Sequence, residues 1–355
     1  MKRGGAQTFA KRLIEWQARS GRHALPWQAT RDPYRIWLSE VMLQQTQVAT
    51  VIPYYQRFLE RFPGVEALAR ASLDEVLALW SGLGYYSRGR NLHRAARQVV
   101  ERCKGRFPRT RAGLEALPGV GRSTAAAIAV FSAGARETIL DGNVKRVLAR
   151  HFAVEGYPGS GYVQKELWSL AESVLPSKSI EAYTQALMDL GAGVCTRARP
   201  ACMSCPVRSS CAARRLNRIA ELPAPRPRKA LPRRETVMLI LTRGCQVLLE
   251  QRSPAGLWGG LWSLPQFDSV EEALQACSAR FGCDVASHRQ LKPLAHAFSH
   301  YALTILPLHC EARLRSSRAA QPGAVWLARG PALAAPLPAP VRRLLQKLGS
   351  GSHFP

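Results

Sequence analysis

The sequence predicts a multidomain chain: an all-α domain followed by a smaller α+β domain. Three observations carry that expectation. From residue 8 to about 220, apolar residues recur at helical spacing and no strand-like alternation interrupts them. Between Leu222 and Arg234, four prolines and five basic residues exclude regular structure. Beyond that stretch, short apolar runs separated by turn residues read as strands. The expected division is therefore 1–221 as a helical domain, 222–234 as an extended basic linker and 235–348 as the α+β domain, in keeping with a length of 355 residues.

The first helix is expected over Thr8–Ser20, closed by Gly21, and the second over about Tyr34–Gln45. A third starts near Thr50, with Pro53 tolerated in its first turn. Ser72-Leu73-Asp74-Glu75 is a capping-box sequence opening a helix that stops at Gly82. Further helices fit 87–102, 123–133, 143–152, 163–174 and 180–190. In the second domain, Thr236–Leu241 and Gln246–Glu250 form a hairpin turning at Arg243-Gly244. Strands also fit Gly260–Phe267, Tyr301–Leu308 and Ala324–Leu327, and helices fit 270–281 and 339–348.

Lys and Arg number 50 against 24 Asp and Glu, a net charge of +26. The basic residues are spread through folded-looking sequence, so a polyanion, nucleic acid above all, is the expected partner. No apolar run reaches membrane-spanning length, and Met1–Leu13 leads into an amphipathic helix and not a signal-peptide core. Nine cysteines, four clustered and five scattered, suit a reducing compartment and not a disulfide framework, so a cytoplasmic location is expected.

The four clustered thiols, Cys195, Cys202, Cys205 and Cys211, are spaced C-x6-C-x2-C-x5-C. Such a run holds one compact metal centre, zinc or an iron–sulfur cluster. Zinc ligands usually come as two short pairs on a long arm, whereas these lie in one tight run, which favours a 4Fe-4S cluster.

Leu117–Ile128 reads LPGVGRSTAAAI. Gly119 and Gly121 permit close backbone approach to a phosphate, Ser123 or Thr124 caps the next helix, and that helix N-terminus offers free N–H groups. Asp141 follows about 20 residues later, ahead of a helix carrying Val144, Val147, Leu148 and Phe152 on one face. As a helix N-cap it is expected to stay ionised by the dipole, ready to face a sugar cation. Glu40 shares its helical stripe with Ile36 and Leu43 and with no cation, so desolvation should raise its pKa. Two carboxyls pushed apart in pKa are what glycosidic bond cleavage uses, one as acid and one as cation stabiliser or nucleophile.

Taken together, the Gly-rich hairpin with its following Asp141, the string SEVMLQQTQV at Ser39–Val48, the loop GLGYYSRGRNLH at Gly82–His93 and the cysteine run resemble the endonuclease III and adenine glycosylase superfamily of DNA repair enzymes. The resemblance implies a helix–hairpin–helix DNA glycosylase domain with one 4Fe-4S cluster, acting as a monomer on double-stranded DNA that carries adenine mispaired with 8-oxoguanine or guanine. It implies that Glu40 protonates the flipped adenine, that Asp141 stabilises the oxocarbenium ion by ion pairing or transient covalent capture, and that Asn143 orients these groups. Leu25, Trp27 and Gln185 correspond to the adenine pocket, although Glu181 and Asp189 share the Gln185 stripe and suit a solvated face. Gln45, Thr46, Leu83 and Tyr85 correspond to positions that intercalate or touch the opposite base, and Lys145 is expected on phosphate. His23 stands where some relatives have Lys or Arg. Ser123 replaces the lysine of bifunctional relatives and cannot form a Schiff base, which implies a monofunctional enzyme.

The second domain resembles the Nudix fold fused to such glycosylases, from GLWGGLWSLPQF at Gly256–Phe267. Phe298, Ser299 and His300 match the family's 8-oxoguanine-reading loop. Only Glu271 and Glu272 stand where a Nudix hydrolase needs a dense set of glutamates, so pyrophosphatase activity is not expected.

Overall fold

The computed structural model describes residues 3–227, 231–254, 256–298, 301–314 and 323–348. Its contacts divide the chain into two compact units, but not at the expected boundary. One unit holds the chain up to Arg70 and from Asn91 into the linker, and the other holds Ala71–Arg90 with everything after the linker.

The first unit is helical. Its helices include Arg3–Ser20, Pro33–Leu43, Val48–Arg61, Val65–Arg70, Arg111–Glu115, Arg122–Ala133, Gly142–Phe152, Gly161–Ser173 and Ile180–Asp189. Two short ones, Val65–Arg70 and Arg111–Glu115, escape sequence periodicity because one turn or so carries too few repeats. Pro53 lies inside Val48–Arg61, past the first turn, because that helix starts two residues earlier than the sequence suggests. Tyr34 and Trp37 line the buried side of Pro33–Leu43, and Asp32 caps it by accepting from the Tyr34 N–H. One apolar core joins Phe9 and Leu13 to Val144, Val147, Leu148, Leu167, Tyr183 and Leu187. In that core both the N-terminal helix and helix Gly142–Phe152 pack against Ile180–Asp189. After Asp189 the backbone continues as a π-turn, Leu190–Val194, which delivers Cys195.

The second unit is a mixed sheet covered on both faces. Its strands are β1 (Arg233–Arg243), β2 (Gln246–Gln251), β3 (Trp262–Ser263), β4 (Gln266–Phe267), β5 (Cys283–Gln290), β6 (Leu294–Ala297), β7 (Ala302–Leu314) and β8 (Ala324–Ala328). The order runs β3-β2-β1-β7-β5, with β4 on β1, β6 on β7 and β8 on β2. β1 and β7 are parallel, pairing Val237 with Leu306 and Leu241 with Cys310. Strand alternation sends Met238 and Ile240 to one apolar cluster and Val237, Leu239 and Leu241 to another, so a continuous apolar run serves two layers. The β1–β2 hairpin turns at Gly244, whose φ of 52° is in the left-handed region, as its sequence suggests.

Helix Leu73–Trp80 belongs to this second unit. Its capping box forms as expected, and Leu77 is fully buried in the cluster that also contains Met238, Leu249 and Val341. Tyr86 donates its hydroxyl to the Leu337 carbonyl at 3.1 Å, and Arg342 donates to the Ser81 hydroxyl at 3.0 Å. The expected single strand over Gly260–Phe267 is broken into β3 and β4 around Leu264-Pro265. Among the described residues no helix is long and apolar enough to cross a membrane.

Candidate active site and thiol cavity

A cavity of about 550 Å³ opens in the first unit. Leu25, Trp27, Ile36 and Leu43 are among its apolar lining residues, and Gln28, Glu40 and Gln185 are among the polar groups that make up about half of the wall. Helix Pro33–Leu43 brings Glu40 to the wall and Ile180–Asp189 brings Gln185. Trp27 is held edge-on against Tyr55, with centroids 5.4 Å apart.

Glu40 is pushed up to about 8, first by burial and then by the charge of Asp141. Among the described residues no cation or hydrogen-bond donor offsets this. Asp141 caps helix Gly142–Phe152, its Oδ1 accepting from the Val144 N–H at 2.7 Å. Burial raises Asp141 above the ordinary carboxylate range, working against the expected effect of the helix dipole, which favours the ionised form. The N–H groups of Val144 and Asn143 and the cations of Arg146 and Lys145 oppose that rise. Glu40 lacks those opposing groups, and the Asp141 charge adds to its rise. Asp141 does not itself line the cavity.

The polar stripe of Ile180–Asp189 is not solvated as its sequence suggests. Asp189 is 3% exposed and accepts from the Arg22 N–H at 2.9 Å, from Arg22 Nε at 2.7 Å and from Gln185 Nε2 at 2.8 Å. Glu181, nearer the surface, pairs with Arg31 at 2.9 Å. His23 lines the same cavity and its Nε2 bonds the Gln17 carbonyl at 2.9 Å.

Gly121, and not Ser123 or Thr124, is the N-cap of helix Arg122–Ala133. The Ser123 hydroxyl instead accepts from the Leu140 N–H at 2.9 Å, which ties that helix to the residue before Asp141. Thr124 Oγ1 meets Gln44 Nε2 at 3.3 Å. Gly119 has φ 79°, and an added Cβ there would lie 2.7 Å from the Asn91 Cβ, so the hairpin requires glycine. Gln45 takes a left-handed φ of 59° beside Thr46, at the exposed end of helix Pro33–Leu43. In the second unit, Tyr85 is 52% exposed, but Leu83 is 6% exposed and so does not present its side chain to a ligand, contrary to expectation. Phe298 packs against Trp258, His296 and Tyr301. Ser299 and His300 lie outside the described residues. Glu272 is engaged in capping helix Val270–Ala279, where its carboxylate accepts from the Asp268 N–H.

Cys195, Cys202, Cys205 and Cys211 line one further cavity with Val147, Leu190, Val194 and Val207. Helix Gly142–Phe152 shapes it. Arg146 donates to the carbonyls of Cys195 and Gly191 and to Asn143 Oδ1, and Arg150, 4% exposed, donates to those of Thr196, Arg197 and Leu222. Asn143 is thus tied to the cysteine loop as well as to the Asp141 turn. Arg150 Nη1 also lies 3.4 Å from Cys195 Sγ. Burial, with the neighbouring thiols adding to it, pushes Cys205 up to about 11, so four thiolates here need a cationic centre to bind. Among the described residues no three ligating side chains converge on a point that would hold a single metal ion. The donor set, four thiols around one enclosed space with amide and guanidinium donors beside it, fits a cluster.

Comparison with known proteins agrees with both units. Residues 38–173 match the HhH-GPD superfamily base excision DNA repair protein family, and residues 236–347 match the NUDIX domain family. The chain is 35% identical over 341 residues to an adenine DNA glycosylase of Buchnera aphidicola, with 96% of each chain covered. It is 38% identical to the adenine DNA glycosylase of Homo sapiens, covering 90% of this chain and 70% of that one. A thermostable thymine-DNA glycosylase structure superimposes with a TM-score of 0.55 at 29% identity, over 60% of this chain and 98% of that one. On these matches the chain belongs to the adenine DNA glycosylase family, enzymes of the HhH-GPD superfamily that hydrolyse N-glycosidic bonds in DNA.

Proposed function

We propose that the enzyme is monofunctional and excises adenine mispaired with 8-oxoguanine or guanine, taking the flipped base into the cavity beside Glu40. The observation that carries this reading is a buried carboxyl, pushed up to about 8, on the wall of a cavity roomy enough for a base and repelled by a second carboxyl that caps a helix. A base in the stack is out of reach of both groups, so extrusion comes first. Glu40 then gives its proton to a ring nitrogen of adenine. The bond from the sugar C1′ to N9 breaks, its electron pair leaves with the base, and adenine departs neutral. Asp141, ionised, stabilises the resulting oxocarbenium ion by ion pairing or brief covalent capture. Water attacks C1′ and returns a proton to Glu40, which restores the acid. Leu25, Trp27 and Gln185 hold the base, and Asn143 holds the turn that carries Asp141.

Gly119, Gly121, Ser123 and Lys145 sit on elements suited to phosphate contact, with backbone N–H groups at the start of Arg122–Ala133 and a half-buried ammonium beside Asp141. Gln45, Thr46 and Tyr85 are assigned to base contacts, and Phe298, Ser299 and His300 to reading 8-oxoguanine. The four cysteines would hold one 4Fe-4S cluster, whose contribution when bound is to fix the Cys195–Cys211 loop and its arginines.

The full-length protein, incubated with duplexes holding A opposite 8-oxoguanine, G or T, tests this. Adenine release fastest from the 8-oxoguanine pair, with the strand intact until alkali treatment, is the expected result. Equal release from all three duplexes would refute the specificity, and nicking without alkali would refute the monofunctional assignment.

A further inference from the structure

His151 follows Arg150 on helix Gly142–Phe152, and its ring lines the cavity of the four cysteines. It is 4% exposed, and its Nδ1 is buried with no hydrogen-bond partner. The ring is held in place, with centroids 4.5 Å from Phe9 and 4.8 Å from Phe152. An orphaned buried nitrogen is destabilising, and folded proteins seldom leave one without a reason. Val147, Leu190, Val194, Val207 and Ile219 supply no side-chain acceptor on that cavity wall. The acceptors that the cysteine loop would bring there are sulfurs.

We propose that His151 donates its Nδ1–H to a sulfur of the cluster and thereby raises the reduction potential of that cluster. The inference rests on the cluster assignment made above. A donor on a cluster sulfur draws off electron density and favours the more reduced, more negative state. Arg150, 3.4 Å from Cys195 Sγ, is a second donor of the same kind. His151 is therefore a tuning residue and not a ligand, since the four thiols already complete the set.

The test uses full-length holoprotein and begins with iron, sulfide and visible absorbance. Absence of iron overturns both this proposal and the cluster assignment. With the cluster present, ¹⁵N-histidine-labelled protein is brought to a paramagnetic state and examined for a ¹⁵N coupling and an exchangeable proton coupling to the cluster. Both are expected, and their absence overturns the proposal while leaving the cluster assignment intact. Voltammetry of His151→Leu should show a more negative potential, by about 59 mV for a tenfold change in the one-electron equilibrium. His151→Gln, which keeps an N–H donor, should restore much of it. An unchanged potential in His151→Leu would mean that water satisfies the ring and the cluster does not sense it.

Discussion

Gln185 Nε2 donates to Asp189 Oδ1 at 2.8 Å, and that bond decides which end of the amide an occupant of the cavity meets. A carboxylate accepts and never donates when ionised, so the amide nitrogen must face it and the amide oxygen is left for the ligand. Arg22 fixes the carboxylate in turn. If Gln185 holds the flipped base as proposed, the arrangement should favour a base edge with a donor, such as the exocyclic amine of adenine.

Asp189→Asn should release that constraint, because an asparagine amide bonds Gln185 in either orientation. Single-turnover excision of adenine should fall about tenfold, the worth of one hydrogen bond to a charged group. Excision of purine, which lacks the amine, should fall less. Equal losses on both bases would show that Asp189 serves stability alone.

On the proposed mechanism, Glu40 should set the alkaline limit of the reaction. With its acid form lost above about pH 8, kcat/KM should decline there, since that ratio reports the free enzyme. The folded pKa lies above the ordinary 4.5, so the native state binds the extra proton and stability falls as pH rises from about 4.5 through about 8. Glu40→Gln should therefore be inactive yet gain Tm over wild type across that window. A Tm difference independent of pH would place the Glu40 proton elsewhere.

Gly191 packs where a Cβ would sit 2.5 Å from the Asn143 Cβ, with Asn143 backbone atoms at 3.1 Å. Gly191→Ala should force apart the π-turn and the start of helix Gly142–Phe152, costing about 1–3 kcal/mol as overpacking does. Thermal unfolding gives the stability, and excision rates show whether Asp141 moves with the turn. A variant with wild-type Tm would mean the turn relaxes freely.

Ser123 connects two turns through the Leu140 N–H. Ser123→Ala removes that acceptor and should cost about 1 kcal/mol. Ser123→Lys places an amine near the turn holding Asp141 and should add strand cleavage at the abasic site, detectable by borohydride trapping of the enzyme on DNA. No trapped adduct would show that position 123 does not reach the sugar.

Much of the helical unit was legible because its elements are long, amphipathic and capped, and Glu40 stood out because its stripe carries no cation. What the sequence concealed depends on distant partners. Asp189 reads as a surface acid until Arg22, 167 residues away, turns out to hold it. β5 carries CDVASHRQ, with no alternating apolar pattern, and exists through its ladder with β7. Leu73–Trp80 is plainly a helix in sequence, yet nothing local says which core its leucines join.

That last feature bears on the order in which the polypeptide emerges from the ribosome. Leu77 and its helix are made early, but β1 and β7, which form the core they join, appear roughly 150–230 residues later, about 10–40 s at typical synthesis rates. During that interval the apolar face of the helix lacks its final cover. The nascent chain must keep it shielded, by transient contacts or by a chaperone, until translation reaches the strands of the sheet on which it rests.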